Sequence, residues 1–188
     1  MPRRPIPKDE EIRLDPKRFI VSKTDKHGVI EYGNDYFVEI SGYHEAELID
    51  SPHNMIRHPD MPKIVFKVMW DKIKKREPVI AIVKNLAKDG RYYWVLAEIE
   101  SRVDPATSEI VGYVAYRRAA PRSAIEKIEP LYKKLLEIEE ISGMSASEKY
   151  LKGYLEEKNM TYEQFMNSMI ENKGVFKKFF GRMKRIFG

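Results

Sequence analysis

Between Phe19 and Tyr116 the apolar positions follow two rhythms. Phe19–Lys23 and Val29–Tyr32 are rich in β-formers, and Asp25-Lys26-His27-Gly28 between them supplies turn chemistry, so the pair reads as a hairpin. Gly33-Asn34-Asp35 breaks the second strand and caps a short helix over Tyr36–Ser41, which Gly42 ends; a second short helix covers Glu45–Ile49. From Met61 to Arg76 the period becomes helical. Ile64, Val65, Val68, Met69 and Ile73 recur three or four residues apart, and Phe66 and Trp70 form an adjacent stripe. After Pro78 the strand rhythm returns in Val79–Val83, in Tyr92–Ile99 beyond a Lys88-Asp89-Gly90 turn, and in Ile110–Tyr116 beyond a loop at Asp104-Pro105-Ala106-Thr107. This order predicts an α+β domain, a five-stranded antiparallel sheet with helices on one face.

Beyond Ser123 the pattern stays helical. Ile125, Ile128, Leu131, Leu135, Ile138 and Ile141 lie on one stripe, and Leu131, Leu135 and Ile138 suit a coiled-coil seam of about two or three heptads. Such a stripe is more often a packing helix, and dimerisation is the alternative. Ser142-Gly143 interrupts it, a helix follows around Ser147–Lys158, and Thr161-Tyr162-Glu163-Gln164 forms a capping box for the next. The final helix sets Val175, Phe176, Phe179, Phe180, Met183, Ile186 and Phe187 against a basic face. The layout is therefore a polar arm over 1–17 that docks or stays mobile, a sheet domain over 18–119, a connecting helix over 120–141, and a helical extension over 142–188 with a basic amphipathic tail.

Charge changes this picture in one place. The net charge of +5 belongs to residues 171–188, where Lys173, Lys177, Lys178, Arg182, Lys184 and Arg185 face Glu171 alone. The other 170 residues are balanced, so a general nucleic-acid surface is disfavoured. The tail suits an anionic membrane surface through residues 173–188, a groove on a partner, or its own domain. With no cysteine there is no disulfide, thiolate metal site or cysteine nucleophile. No apolar run approaches a membrane span and Met1-Pro2-Arg3-Arg4 leads into charge, which indicates a cytoplasmic address. Neither a nucleophile–base–orienter set nor a phosphate loop is legible, so an enzyme is disfavoured. The four histidines are scattered without a ligand cluster.

One segment is neither core nor turn. Asn54-Met55-Ile56-Arg57-His58-Pro59-Asp60-Met61-Pro62 packs a cation, a titratable ring, a carboxylate and two prolines ahead of the long helix. Each proline fixes its own φ and biases His58 and Met61 toward extended geometry, giving a rigid polar wall. Arg57, His58 and Asp60 offer donors and an acceptor to a bound molecule or to one another. An ordinary ion pair at a helix start is the plainer explanation.

Three runs carry a resemblance: Ile20-Val21-Ser22-Lys23-Thr24-Asp25, Gly33-Asn34-Asp35-Tyr36-Phe37-Val38-Glu39-Ile40-Ser41-Gly42-Tyr43, and Glu45-Ala46-Glu47-Leu48-Ile49. With the Arg57–Pro62 run, Val83-Lys84-Asn85, Lys88-Asp89-Gly90, Tyr93-Trp94-Val95, Gly112-Tyr113 and Arg117, residues 18–118 resemble a PAS domain of the aerotaxis-receptor family. The resemblance implies noncovalently held FAD, with Arg57, His58 and Asp60 along the flavin region and Trp70, Phe66, Asn34 and Asn85 at other cleft positions. It implies a redox or energy-taxis sensor that reports to a membrane chemoreceptor. Here that receptor is expected to be a separate chain, as in a bipartite system whose soluble half is dimeric. Ala81, Leu86 and Ala115-Tyr116 depart from the family's usual residues. The missing cysteine argues against adduct-forming light sensing. Two other readings stay open: a haem or small-ligand sensor using His53 or His58, and a cofactor-free PAS dimerisation module.

Overall fold

The computed structural model describes residues 4–170 and 173–187. Strand β1 (Ile20–Asp25) and strand β2 (Ile30–Gly33) pair around a turn in which the Asp25 carboxylate accepts the N–H groups of His27 and Val29 at 2.8 and 2.9 Å. Helix α1 (Asp35–Ser41) follows, then α2 (Glu45–Leu48), a 3-10 turn over His53–Ile56 and α3 (Lys63–Ile73). Strands β3 (Val79–Leu86), β4 (Tyr92–Val103) and β5 (Ile110–Ala119) complete an antiparallel sheet in the order β2-β1-β5-β4-β3. The first and last strands are neighbours, in register from Ile20 opposite Arg117 to Asp25 opposite Gly112. β3 continues past the apolar Val79–Val83 run because Asn85 and Leu86 still pair with Tyr93 and Tyr92.

Period two sends alternate residues to opposite faces. Ala97 and Ile99 of β4, with Tyr113, Ala115 and Arg117 of β5, look toward α3 and the 3-10 turn. Trp94, Leu96 and Glu98 look the other way, and the chain covers that second face too. Helices α4 (Arg122–Ser142), α5 (Met144–Glu157), α6 (Tyr162–Ser168) and α7 (Lys173–Phe187) form the extension. Tyr132 of α4 stacks on Trp94 and donates its hydroxyl proton to the Ile82 carbonyl at 2.6 Å. Lys184 of α7 pairs with Glu98 at 2.9 Å, and Phe187 meets Phe19 edge-on at 5.8 Å. The helices expected on one face are thus joined by others on the second.

This packing takes up two of the three residues that suit a coiled-coil seam: Leu131 and Leu135 are buried within the chain, while Ile138 is half-buried. Of the three positions open to the tail, α7 adopts the one folded back on its own domain, with Phe180 and Met183 buried. The side chains of Val175, Phe176 and Phe179 lie outside the described residues, as do Met1-Pro2-Arg3 and Glu171. The N-terminal arm is docked. Ile12 N–H donates to Tyr92 O at 2.7 Å, Tyr92 N–H to Glu10 O at 3.0 Å, and Lys8 N–H to Gly90 O at 2.8 Å. Among the described residues no helix is long and apolar enough to cross a membrane.

The two halves are tied together at one helix end. Pro62 precedes α3 and has no side-chain oxygen to satisfy the first amide groups. Glu139 of α4 does so instead, accepting from Lys63 N–H at 2.7 Å and Ile64 N–H at 2.8 Å while also accepting from the Ser147 hydroxyl at 3.0 Å. A carboxylate at a helix N-terminus also meets the positive end of the helix dipole.

Candidate functional site

A cavity of about 240 Å³ lies between the inner face of the sheet and α3. Trp70, one helical turn beyond Phe66, stands edge-on to Tyr113 of β5 with centroids 5.1 Å apart, and the two rings in contact form an apolar part of the cavity wall. Gly28, at φ +84°, brings the β1–β2 turn against the outer edge of Trp70. At one rim the backbones of Arg57 and Asn85 pair as an isolated antiparallel bridge, which fixes the polar wall to β3. The Arg57 guanidinium lies 3.8 Å from the Phe66 ring centroid. Asn85 is buried and lines the cavity, carrying both a donor and an acceptor.

The floor is a buried polar cluster. Arg117 Nη2 donates to Ser22 Oγ at 2.8 Å and approaches His53 Nε2 at 2.6 Å. A guanidinium has no acceptor, so His53 Nε2 must be the accepting nitrogen and Nδ1 the protonated one. The imidazole stacks on Phe37, at 6.0 Å and 16°. The residue is half-buried, and burial followed by the neighbouring Arg117 cation pushes its pKa down to about 3, keeping it neutral. Burial pushes Arg117 down to about 10, so it remains a cation. No carboxylate pairs with it among the described residues, and its Nη1 has no hydrogen-bond partner.

Four of the seven residues expected at one cleft are brought together there: Arg57, Phe66, Trp70 and Asn85. Asn34, His58 and Asp60 are not among the residues that line it. Asn34 is the N-cap of α1. Its Oδ1 accepts from Phe37 N–H at 3.1 Å and Val21 N–H at 3.0 Å, and its Nδ2 donates to Phe19 O at 3.0 Å. Extended geometry before Pro59 turns successive side chains to opposite sides. Arg57 enters the cavity, while His58 packs outside it against Tyr92 at 6.1 Å. His58 Nδ1 accepts from Asp60 N–H at 3.0 Å, and the Asp60 carboxylate pairs with Lys84 at 2.7 Å. Asp60 thus forms an ion pair with Lys84, while His58 takes part as a neutral acceptor.

Ser22, Tyr113 and Arg117 line the cavity without having been singled out as ligand residues. The available signal was parity: Arg117 shares the inward face of β5 with Tyr113 and Ala115, a position where a charge needs a reason. His53 had been considered as a haem ligand, but its Nε2 is engaged by Ser22 and Arg117, and His58 lies outside the cavity.

The neutral histidines predict a pH dependence of stability. Unfolded imidazole titrates near its ordinary value of ~6.5, whereas folded His53 titrates at about 3. Below the unfolded value the unfolded chain binds a proton that the folded chain refuses. Stability is therefore whole above that pH and is lost as the pH falls toward the folded value. His58, pushed down to about 4 by burial and then by Lys84, acts in the same direction. From His53 alone the loss between pH 6.5 and pH 5 is up to about 2 kcal/mol, at ~1.4 kcal/mol per unit. Urea midpoints should fall over this range, and His53→Gln should fall less steeply. Equal midpoints at pH 7 and pH 5 would show that these rings are not held neutral.

The donor set accommodates a flavin ring. Phe66, Trp70 and Tyr113 give the cavity apolar walls, Asn85 can read a carbonyl and N–H edge, and a buried guanidinium lacks a counter-charge. The volume lies just under the ~300–1,000 Å³ usual for small-molecule pockets, so it encloses a ring system rather than an entire dinucleotide.

Residues 30–116 match the family model described as the PAS fold. The chain is 47% identical over 116 residues to the aerotaxis receptor of Escherichia coli (strain K12), an overlap of 62% of this chain and 22% of that receptor. It is 29% identical over 98 residues to the nitrogen fixation regulatory protein of Klebsiella pneumoniae, 52% of this chain and 20% of that protein. The chain thus spans about a fifth of the length of these curated relatives. Among solved structures, the PAS domain of a protein from Colwellia psychrerythraea superposes with a TM-score of 0.50 at 20% identity, covering 54% of this chain and 86% of that one. An RNA-binding light-oxygen-voltage receptor gives 0.51 at 16% identity, covering 62% of this chain and 32% of that one. At these identities the structures show the fold alone.

Proposed function

From the PAS domain that this chain contains over residues 30–116, we infer a sensor that holds FAD noncovalently and reports its redox state by protein contact, the receiver being a membrane chemoreceptor in a separate chain. The observation that carries this reading is the cavity walled by Trp70 and Tyr113 with Asn85 buried in its lining. The similarity to an aerotaxis receptor supports the same reading.

A bound flavin supplies a centre that takes up and releases electrons. The remaining tasks fall to the chain. Trp70 and Tyr113 exclude water from the ring, and Asn85 orients it through its amide. Asn85 also begins a short path outward. Its β3 neighbour Lys84 faces the opposite side, against the Tyr92 and Trp94 rings at 4.3 and 5.8 Å. On the same strand the Ile82 carbonyl is held by Tyr132 of α4. A displacement of β3 at the cavity therefore reaches α4 through one hydrogen bond and one ring stack. Through Tyr92 it also reaches the docked N-terminal arm.

The absorption spectrum of the purified full chain tests the assignment. Paired blue and near-ultraviolet bands, present on purification or after incubation with FAD, are the expected result. A Soret band instead would support the haem reading, despite the engaged His53. A protein that stays colourless with either cofactor would be an interaction module, and the sensor reading would be lost.

A further inference from the structure

Arg117 is only 4% exposed, yet it belongs to the cavity wall and has no anionic partner among the described residues. Its Nη2 is taken up by Ser22 and His53, and its Nη1 has no partner. Burying an uncompensated cation is costly, and the Phe37 ring 5.6 Å from the guanidinium offsets little of that cost. The groups facing it come from every surrounding element: Ser22 from β1, Phe37 from α1, His53 from the 3-10 turn, and Tyr93 from β4. His53 is neutral and the Tyr93 hydroxyl is pushed up by burial, so neither contributes a negative charge near neutral pH. The floor of the cavity is one negative charge short. β5, paired on both sides, gives the backbone of Arg117 no freedom to carry that charge out to water.

We propose that Arg117, positioned by Ser22 and His53, holds the negative charge of the reduced isoalloxazine ring and so sets the potential of the cofactor. This rests on the flavin reading above. Two electrons from an external low-potential donor, taken up with one proton from solvent, leave the ring with one negative charge; Arg117 stays protonated throughout. A fixed cation stabilises that product more than the neutral oxidised ring, which raises the potential and favours the singly protonated reduced form. Ser22 and His53 act by holding the guanidinium in place. His53 can do so only while it is neutral and able to accept.

The test is the midpoint potential of the FAD-loaded full chain, measured with dithionite as the donor against a reference dye, for wild type, Arg117→Gln and Arg117→Lys. Arg117→Gln should favour the reduced over the oxidised ring at least tenfold less than wild type does. For a two-electron couple that is a fall of about 30 mV. Arg117→Lys should recover most of it. If Arg117→Gln does not fold, the wild-type protein still decides. One proton per two electrons gives a slope of about 30 mV per pH unit between pH 6 and pH 8, and two protons give about twice that. The steeper slope, or an unchanged potential in Arg117→Gln, would overturn the role of Arg117 while leaving flavin binding intact. A wild-type chain that takes up no flavin would overturn both.

Discussion

Tyr132→Ala is expected to lower the unfolding free energy by about 4 kcal/mol or more. Tyr132 is 3% exposed and stacks on Trp94 across the second face of the sheet, at 6.4 Å and 23°. Truncating a buried aromatic side chain to alanine costs about 3–5 kcal/mol through lost transfer energy and the cavity left behind. The Ile82 carbonyl also loses the donor at 2.6 Å, and an orphaned buried acceptor costs about 1–3 kcal/mol. Tyr132→Phe separates the two contributions: it keeps the stack, loses the hydrogen bond, and should cost only about 1–2 kcal/mol. Urea denaturation followed by circular dichroism measures both variants, and an unchanged slope would show that only stability moved. A cost below about 1 kcal/mol for Tyr132→Ala would mean that α4 does not pack on the sheet. The route proposed from β3 to α4 would then have no physical carrier.

Trp70→Ala should weaken FAD binding about 100-fold, close to 2.7 kcal/mol. The indole forms part of the apolar wall of the cavity, edge-on to Tyr113, and lies against the turn at Gly28. Removing it takes away the apolar contact and lets water reach the ring, which weakens the discrimination supplied by Asn85. Because Trp70 is only half-buried in the protein by itself, the stability cost should be smaller than the loss of affinity. Trp70→Phe, which keeps an aromatic wall, should restore most of the binding. Titration of the apo-chain with FAD, followed by quenching of flavin fluorescence, reads the constants. Equal affinities for wild type and Trp70→Ala would remove the Trp70 wall from the binding site.

His58 and Arg57 show how two neighbours in one motif divide between different tasks. Both were legible as polar wall, and Pro59 made the extended geometry legible as well. Extended geometry sends adjacent side chains to opposite sides, yet only the packed structure says which side holds the cavity. Arg57 faces it, while Asp60 pairs with Lys84 and the neutral His58 accepts from the Asp60 N–H. Asn34 is a parallel case. Its place before a short helix already marked it as a cap, and its three hydrogen bonds are all local or to β1.

The sequence by itself determined the strand and helix order, the turns at Asp25–Gly28 and Lys88–Gly90, the caps at Asn34 and Thr161, and the side of α3 that carries Phe66 and Trp70. These follow from period, turn chemistry and capping, which act over a few residues. Tertiary structure alone decided what depends on distant partners. It set β5 beside β1, so that Arg117 meets Ser22, 95 positions away. It folded α4 and α7 over the face left bare by the strand pattern, burying Leu131 and Leu135 of the α4 stripe. It also placed Glu139 at the start of α3, where Pro62 could offer no cap. A buried cation in mid-strand has no local signature, because its cost and its compensation are both set by what the fold brings against it.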